Sequence, residues 1–260
     1  MKRVGHDTKV GNLTPSQLRA FVYDDSIQPP TQKSRYRHSR AILRWADQGA
    51  LLDGIEEPRT GKKLPKAVRE GELDQICQAI VDDYQDKRRI GHCRFRELLW
   101  LIPTFRFAYF TGLRGSELGR LRWRHIDLAR SRLTVLRQKS GNESTIPLIG
   151  PAEALLRGLN RSEGDGSFVF HSPRGDAWER SARWFREQIS RQFATYRDEA
   201  EVRSNLTLHG LRHGFATRLA ENGASAIAIK RAMRHSSVQT SMKYIHMANE
   251  TLKTEIEDAF

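Results

Sequence analysis

The chain of 260 residues has a formal net charge of +13, from 44 Lys and Arg against 31 Asp and Glu, and 38% of its residues are hydrophobic. It contains 2 cysteines and no run of about 18 apolar residues, which excludes a disulfide-stabilised scaffold and a transmembrane protein. Positive charge spread along the whole chain favours a polyanionic partner, and we expect a cytoplasmic, nucleoid-associated protein.

The first 65 residues have the pattern of a small helical domain. Thr14 is a predicted N-cap with Pro15 at the first helical position, so a short helix is predicted as far as Tyr23. The prolines within 26–32 are expected to break it, and a second helix is predicted over 33–52. The residues of this helix expected to face inward are Ile42, Leu43, Trp45 and Ala46. Two prolines and a charge cluster then predict a linker, and we place the domain boundary at residue 65.

The remainder, residues 66–260, is predicted to be mainly α-helical around a small antiparallel β-sheet. Apolar spacings of three and four residues predict helices over 68–85, 94–112, 116–128, 181–200, 210–223, 225–235, 237–246 and 249–260. Alternating patterns over 131–138 and 143–149 predict a hairpin with its turn at 139–142. A third short strand is predicted over 167–173.

Three residues close together in the chain, His209, Arg212 and His213, form the first candidate site. The two histidines have the spacing of a helical zinc pair, but the Glu of that motif is absent and a cationic Arg lies between them. No other ligand is near in sequence, so we predict no metal. A guanidinium beside an imidazole suits a phosphate better, because it offers paired donors to two oxygens.

Further residues that could act on a phosphate occur elsewhere in the chain. Arg114 lies at a glycine-containing helix junction, with Glu117 three residues later. Lys139 lies at the tip of the predicted hairpin, and His235 precedes a helix that carries Tyr244. Taken singly, each has an ordinary structural explanation: an Arg can cap a helix, and a Lys in a turn is usually solvated.

The order of these elements resembles the tyrosine recombinase (phage integrase) family. The shared features are an Arg in TGLRGSEL, a Lys in a hairpin, an HxxR box, a further His and a Tyr in the following helix. The resemblance covers about residues 66–260. It implies the tyrosine recombinase catalytic-domain fold, preceded here by a shortened helical domain, residues 1–65, that binds core DNA.

The resemblance also implies a role for each site residue, without metal or other cofactor. Tyr244 would attack the scissile DNA phosphate to give a 3′-phosphotyrosyl link and a free 5′-hydroxyl. Arg114 and Arg212 would hold the phosphate oxygens, and Lys139 would protonate the departing 5′ oxygen as general acid. His209 would assist proton transfer from the tyrosine and hydrogen-bond the phosphate, and His235 would add another phosphate contact. Glu117 would support the site as a hydrogen-bond acceptor, and we interpret His213 as scaffold on the far side of its helix.

One position departs from the family pattern. Where the family usually has Leu-Gly-His, this chain has Met233, Arg234 and His235. A Gly there often marks positive φ, which an Arg adopts less readily. We predict that Arg234 contacts a DNA phosphate or that the turn differs. The further residues predicted to contact DNA are Arg35, Arg37, Arg40 and Arg44.

The resulting prediction is a site-specific DNA strand transferase for integration, excision, inversion or resolution, of the kind found on mobile elements. Its expected partner is double-stranded DNA with inverted-repeat core sites, bound by a homodimer on one site and a homotetramer in the synapse, with accessory proteins possible and no membrane. Two alternatives stay open: a DNA-binding protein of the same fold with weakened catalysis, and a type IB-like topoisomerase. The segment 249–260 is predicted to pack as a separate tail helix onto a neighbouring subunit.

Overall fold

The computed structural model describes most of the chain, in the ranges 10–61, 65–92, 98–136, 143–159, 164–170 and 181–259. The chain divides into two compact units, Met1–Lys63 and Leu64–Phe260. The predicted tip of the hairpin, with Lys139, lies outside the described residues. Among the described residues, no helix is long and apolar enough to span a membrane.

The first unit has two helices, α1 (Pro15–Val22) and α2 (Pro29–Trp45), and a 3₁₀ turn over Gly49–Leu52. Helix α1 begins with the predicted cap, since the Thr14 side chain accepts from the backbone N–H of Gln17. Pro29 and Pro30 are the first two residues of α2, so they begin this helix rather than only breaking the chain. A proline fits there because it lacks only an N–H that the first turn leaves unpaired anyway.

The predicted inward face of α2 is partly wrong. Leu43 is buried, but Ile42 is 56% exposed and Trp45 is 89% exposed. Neighbouring residues on a helix point about 100° apart, so a narrow contact buries one of them and leaves the other in solvent. The residues that form the small core of this unit are Leu18, Val22, Leu43 and Ile55.

The second unit is built from helices around one large apolar core. In the described part of the chain, three helices precede the β-sheet: α3 (Glu70–Arg89), α4 (Leu101–Thr111) and α5 (Gly115–Leu118). The first two helices described after it are α6 (Gly150–Arg157) and α7 (Ala182–Glu199). Phe105 of α4 packs edge-on against Phe193 of α7, at 5.4 Å between ring centroids. Helix α4 ends at Gly112, whose φ of 59° is left-handed. Helix α5 is one turn long, much shorter than the helix predicted over 116–128.

The sheet has three antiparallel strands in the order β1–β2–β3: β1 (Ile126–Asp127), β2 (Arg132–Leu136) and β3 (Glu143–Pro147). The predicted hairpin strands pair with Leu133 opposite Ile146, and both side chains are buried. The third strand is not the predicted one. Of the segment 167–173, the described part makes one isolated bridge, between Phe168 and Arg122, while β1 takes the third place in the sheet.

Three helices complete the second unit: α8 (Leu208–Glu221), α9 (Ala226–Met233) and α10 (Val238–Ala259). Helix α8 packs against α4 on one side and against α9 and α10 on the other. Helix α10 is continuous, so the prediction of separate helices over 237–246 and 249–260 is wrong. No glycine or proline interrupts its sequence, and nothing in the local pattern therefore ends the first of the two predicted helices.

Candidate active site

The second unit brings five of the six predicted catalytic residues into one cluster, and the sixth, Lys139, lies outside the described residues. Arg114 is the N-cap of α5, while His209 and Arg212 lie three residues apart on α8 and therefore on one face. His235 follows α9 and Tyr244 lies on α10. Arg212 is close enough to Arg114, His209, His235 and Tyr244 to interact electrostatically with each.

Arg212 is the buried centre of this cluster. Its guanidinium donates hydrogen bonds to the backbone carbonyls of Gly112 and Met233, which end α4 and α9. Burial, together with the positive charges of Arg114 and Arg234, lowers the pKa of Arg212 to about 9, so it remains a cation at neutral pH. A cation held by two neutral carbonyls keeps its full charge for an anion.

Arg114 lies at the edge of the cluster, and its side chain is 43% exposed. Its guanidinium donates to Glu117 Oε1 at 2.9 Å, and its backbone N–H donates to Oε2 of the same carboxylate at 2.7 Å. Burial alone would raise the pKa of Glu117, but Arg234, Arg114 and these hydrogen bonds lower it below its ordinary value. Glu117 therefore remains ionised and orients Arg114.

Arg234 occupies the unusual backbone position that the family pattern indicates. Its φ of 53° and ψ of 42° are left-handed, and it ends α9 as the C-cap. Its guanidinium turns inward and donates to Glu117 Oε2 at 2.9 Å and to the carbonyl of Gly112 at 3.3 Å, with the side chain 1% exposed. This buried position gives no support to the predicted DNA contact of Arg234, since the guanidinium would first have to leave Glu117.

Tyr244 is buried, with 3% of its surface exposed. Its Oη lies 2.8 Å from His213 Nδ1, across the packed faces of α10 and α8. The rings of His235 and Tyr244 are nearly parallel, with planes at 8° and centroids 6.2 Å apart. His235 Nδ1 lies 2.9 Å from Ser241 Oγ. The prediction that His213 lies on the far side of its helix is wrong, because it contacts the predicted nucleophile.

The imidazoles of the site are neutral in the free protein. Burial, followed by the charges of neighbouring arginines, lowers the pKa of His235 to about 4 and also lowers that of His209. The pKa of His213 falls to about 4 through burial, then through His209 and Arg212. Burial also raises the pKa of Tyr244, although Arg212 opposes this shift. The negative charge of a bound phosphate would offset the positive charges of the arginines in this site.

The arginines predicted to contact DNA from α2 have different environments. Arg35 donates to the carbonyl of Phe21 at 2.9 Å and pairs with Asp24. Arg37 pairs with Glu57, while Arg40 and Arg44 are exposed. Arg40 and Arg44 are therefore better placed than Arg35 to meet a phosphate.

His213 is the residue of this cluster whose helix face the sequence interpretation misplaced. The available signal was its position four residues after His209, on the same helix face. The two rings do meet edge to face, at 4.6 Å between centroids. Among the described residues, no group of three or more His, Cys, Asp or Glu side chains could hold a metal ion.

Known proteins are similar to this chain in sequence. The chain is 28% identical over 221 residues to tyrosine recombinase XerA of Pyrococcus furiosus, covering 85% of this chain and 71% of the relative. It is 28% identical over 262 residues to tyrosine recombinase XerC of Yersinia pestis, covering 96% of this chain and 78% of the relative.

Solved structures share the fold at lower identity. A lambda integrase dimer bound to a COC′ core site matches with a TM-score of 0.68 at 20% identity, over 94% of this chain and 67% of that one. A lambda integrase tetramer bound to a Holliday junction matches with a TM-score of 0.66 at 20% identity, over 91% and 68%. The model of the phage integrase family matches residues 67–251, well over half of the sequence. The chain therefore belongs to the phage integrase family.

Proposed function

We propose that the protein is a site-specific DNA recombinase that cleaves and rejoins strands through a 3′-phosphotyrosyl intermediate. The observation that carries this proposal is the buried Tyr244 beside the cationic Arg212, which also interacts with Arg114, His209 and His235. A phenol next to preorganised guanidinium groups can attack a phosphodiester, and the membership of the phage integrase family supports this chemistry.

Cleavage begins when Tyr244 Oη attacks the phosphorus atom of the scissile bond. Arg212 and Arg114 bind the non-bridging oxygens, on which negative charge builds as the bond forms. Lys139 protonates the departing 5′ oxygen, and His209 and His235 donate hydrogen bonds to the phosphate. The phosphotyrosyl link conserves the energy of the broken bond, so a second 5′-hydroxyl can rejoin the strand without a nucleotide cofactor.

The electrostatics of the site suit this reaction. Arg212 is fixed by the carbonyls of Gly112 and Met233 before DNA binds, so little reorganisation is needed when charge develops. Glu117 pairs with both Arg114 and Arg234. Its two neighbours prevent it from repelling the phosphate, because its charge is already paired.

The partner of this site is double-stranded DNA, for which the net charge of +13 provides a non-specific attraction. In this proposal the first unit is a core-binding domain that uses Arg40 and Arg44 for contacts to the DNA backbone. By analogy with the lambda integrase dimer on a core site and the tetramer on a Holliday junction, the protein binds inverted half-sites as a dimer and synapses as a tetramer. The end of α10 packs onto the neighbouring subunit.

A suicide DNA substrate, nicked so that the short fragment carrying the free 5′-hydroxyl diffuses away after cleavage, tests the proposal. The target site would be sought as inverted repeats in the DNA that flanks the gene. Wild-type protein should form a covalent adduct that survives denaturant, and Tyr244→Phe should form none. Tyr23→Phe is the matched control, because this tyrosine hydrogen-bonds to Glu56 in the first unit and should leave the adduct yield unchanged.

The outcomes separate the proposal from its alternatives. Adduct formation by Tyr244→Phe would overturn the assignment of the nucleophile. Salt-sensitive DNA binding by the wild type without any adduct would indicate a DNA-binding protein that does not catalyse. Relaxation of supercoiled plasmid that lacks the target site would instead indicate a topoisomerase.

A further inference from the structure

We propose that His213 holds the hydroxyl group of Tyr244 and accepts its proton during DNA cleavage. This inference rests on the proposed function, because it assigns a partner to the nucleophile of that reaction. It adds a residue that lies one position after Arg212 in the chain and is not among the six residues predicted to be catalytic.

The geometry places an imidazole nitrogen directly on the attacking atom. His213 Nδ1 lies 2.8 Å from Tyr244 Oη, within the range of a normal hydrogen bond. Both rings are held by the packing of α8 against α10. Since the hydroxyl is buried, its hydrogen needs an acceptor within the protein. Among the hydrogen bonds of the described residues, the one that Tyr244 Oη makes is to His213, so the phenol donates and His213 carries its own proton on Nε2.

The other imidazoles are less suited to this role. His209 meets the ring of His213 edge to face, and no hydrogen bond joins His209 to Tyr244 in the described part of the chain. His235 lies nearly parallel to the Tyr244 ring, and its Nδ1 is engaged by Ser241. The lone pairs of a parallel imidazole lie in its own plane and so do not point at the phenol ring. His209 and His235 therefore remain available for the phosphate.

The proton balance of the step is complete. When the bond from Tyr244 Oη to phosphorus forms, the phenol proton passes to His213 Nδ1 and yields an imidazolium. The bond from phosphorus to the 5′ oxygen breaks, and that oxygen takes a proton from Lys139, as proposed above. In rejoining, the 5′-hydroxyl attacks, the phosphotyrosyl bond breaks, and the imidazolium of His213 returns its proton to the leaving phenolate.

The charges around His213 make it a base that depends on bound DNA. The groups that face it are His209, Arg212, His235, Lys243 and Tyr244. Burial, followed by electrostatic interaction with His209, Arg212, His235 and Lys243, lowers the pKa of His213 to about 4 in the free protein. A phosphate bound by Arg212 adds negative charge nearby, which favours the imidazolium and raises this pKa. The imidazole thus becomes a stronger base when the substrate is in place.

Two substitutions separate positioning from proton transfer. In His213→Asn, the amide oxygen can accept the hydrogen bond near the position of Nδ1 but cannot take the proton, whereas His213→Ala removes both functions. The measurement is the single-turnover rate of adduct formation on the suicide substrate between about pH 5.5 and 9. For the wild type we expect a rise to a plateau. For His213→Asn we expect a rate about 100-fold lower near neutral pH, without that plateau.

The control is His246→Asn on the same helix as Tyr244, which should keep the wild-type rate because His246 is exposed. Melting temperature and DNA affinity, measured for each variant, separate lost folding from lost catalysis. A His213→Asn variant with the wild-type rate and pH profile would overturn the inference, while wild-type adduct formation would still support the proposed function. A wild type that forms no adduct would overturn the proposed function itself.

A second measurement does not need a substituted His213. Nitrogen-15 NMR of the wild-type histidines at pH 7 reports which ring nitrogen carries the proton. We expect the Nε2-protonated tautomer for His213. In the Tyr244→Phe protein, which should not cleave DNA, we expect the pKa of His213 to be higher with a bound DNA duplex that carries the target site than without DNA. A proton on Nδ1, or a pKa that DNA leaves unchanged, would contradict the inference.

Discussion

The ion pair between Arg234 and Glu117 gives a quantitative prediction about stability. Replacing Arg234 with Gly removes one partner of a buried pair, which costs about 3–5 kcal/mol when the remaining charge is left alone. Glu117 keeps its bonds to Arg114, so the lower value of about 3 kcal/mol applies. Gly also relieves the left-handed backbone, which for an Arg costs about 1 kcal/mol.

The expected net loss for Arg234→Gly is therefore about 2 kcal/mol, and for Arg234→Ala, which keeps the backbone strain, about 3 kcal/mol. In a unit of this size, 2 kcal/mol corresponds to a fall of about 4–8 °C in melting temperature. Urea unfolding at pH 7 measures both free energies. Arg231→Ala, an exposed residue on the same helix, should change stability by less than about 0.5 kcal/mol.

The same substitutions in a Glu117→Gln background test the mechanism. Without the carboxylate, removal of the Arg234 guanidinium should cost much less, and the coupling between the two sites should exceed about 0.5 kcal/mol. The reasoning would be refuted if Arg234→Gly were as stable as the wild type, or if the Gly and Ala variants were equally stable. In the first case the ion pair contributes nothing, and in the second the left-handed backbone is not strained.

Two further predictions concern the same region. Gly112→Ala should destabilise the protein by about 2–4 kcal/mol, because φ is +59° and the added carbon would lie 2.6 Å from the Phe215 ring. Gly71→Ala is the control, since this helical glycine has open space around it, and it should be stabilising by about 0.5–1 kcal/mol. Stability should also decrease as the pH is lowered. The pKa values of His213 and His235 are about 4 in the folded protein against an ordinary 6.5, so the unfolded chain binds more protons than the folded protein between pH 6.5 and pH 4. The stability present above pH 6.5 is thus lost towards pH 4. Urea midpoints measured at pH 7.5, 6 and 5 should therefore decrease less steeply with falling pH for His213→Asn than for the wild type.

Much of the site could be predicted because it depends on local patterns. The three-residue spacing of His209 and Arg212 places them on one face of any helix that contains them. The alternating pattern of β2 and β3 predicts their pairing, since a hairpin brings strands of period two together. The helix predicted to end at residue 112 ends at Thr111 with Gly112 as its C-cap, a position that glycine commonly takes.

Errors arose where local sequence permits more than one arrangement. The apolar residues Ile42 and Trp45 favour burial, but the small first unit covers only the stripe around Leu43. The strand predicted after residue 166 has the right composition, yet β1 takes the place beside β2. Which of the two candidate segments pairs with β2 depends on the path of the chain between them, and a local sequence pattern does not specify that path.

By itself, the sequence determined the charge, the order of the family motif and the residues that lie on common helix faces. Only the tertiary structure decided that His213 contacts Tyr244, 31 positions later, and that Arg234 pairs with Glu117, 117 positions earlier. The physical reason is that periodicity specifies the face of an element on which a side chain lies. Packing between elements distant in the chain determines which side chain that face contacts, and a buried hydroxyl or guanidinium needs a hydrogen-bond acceptor there.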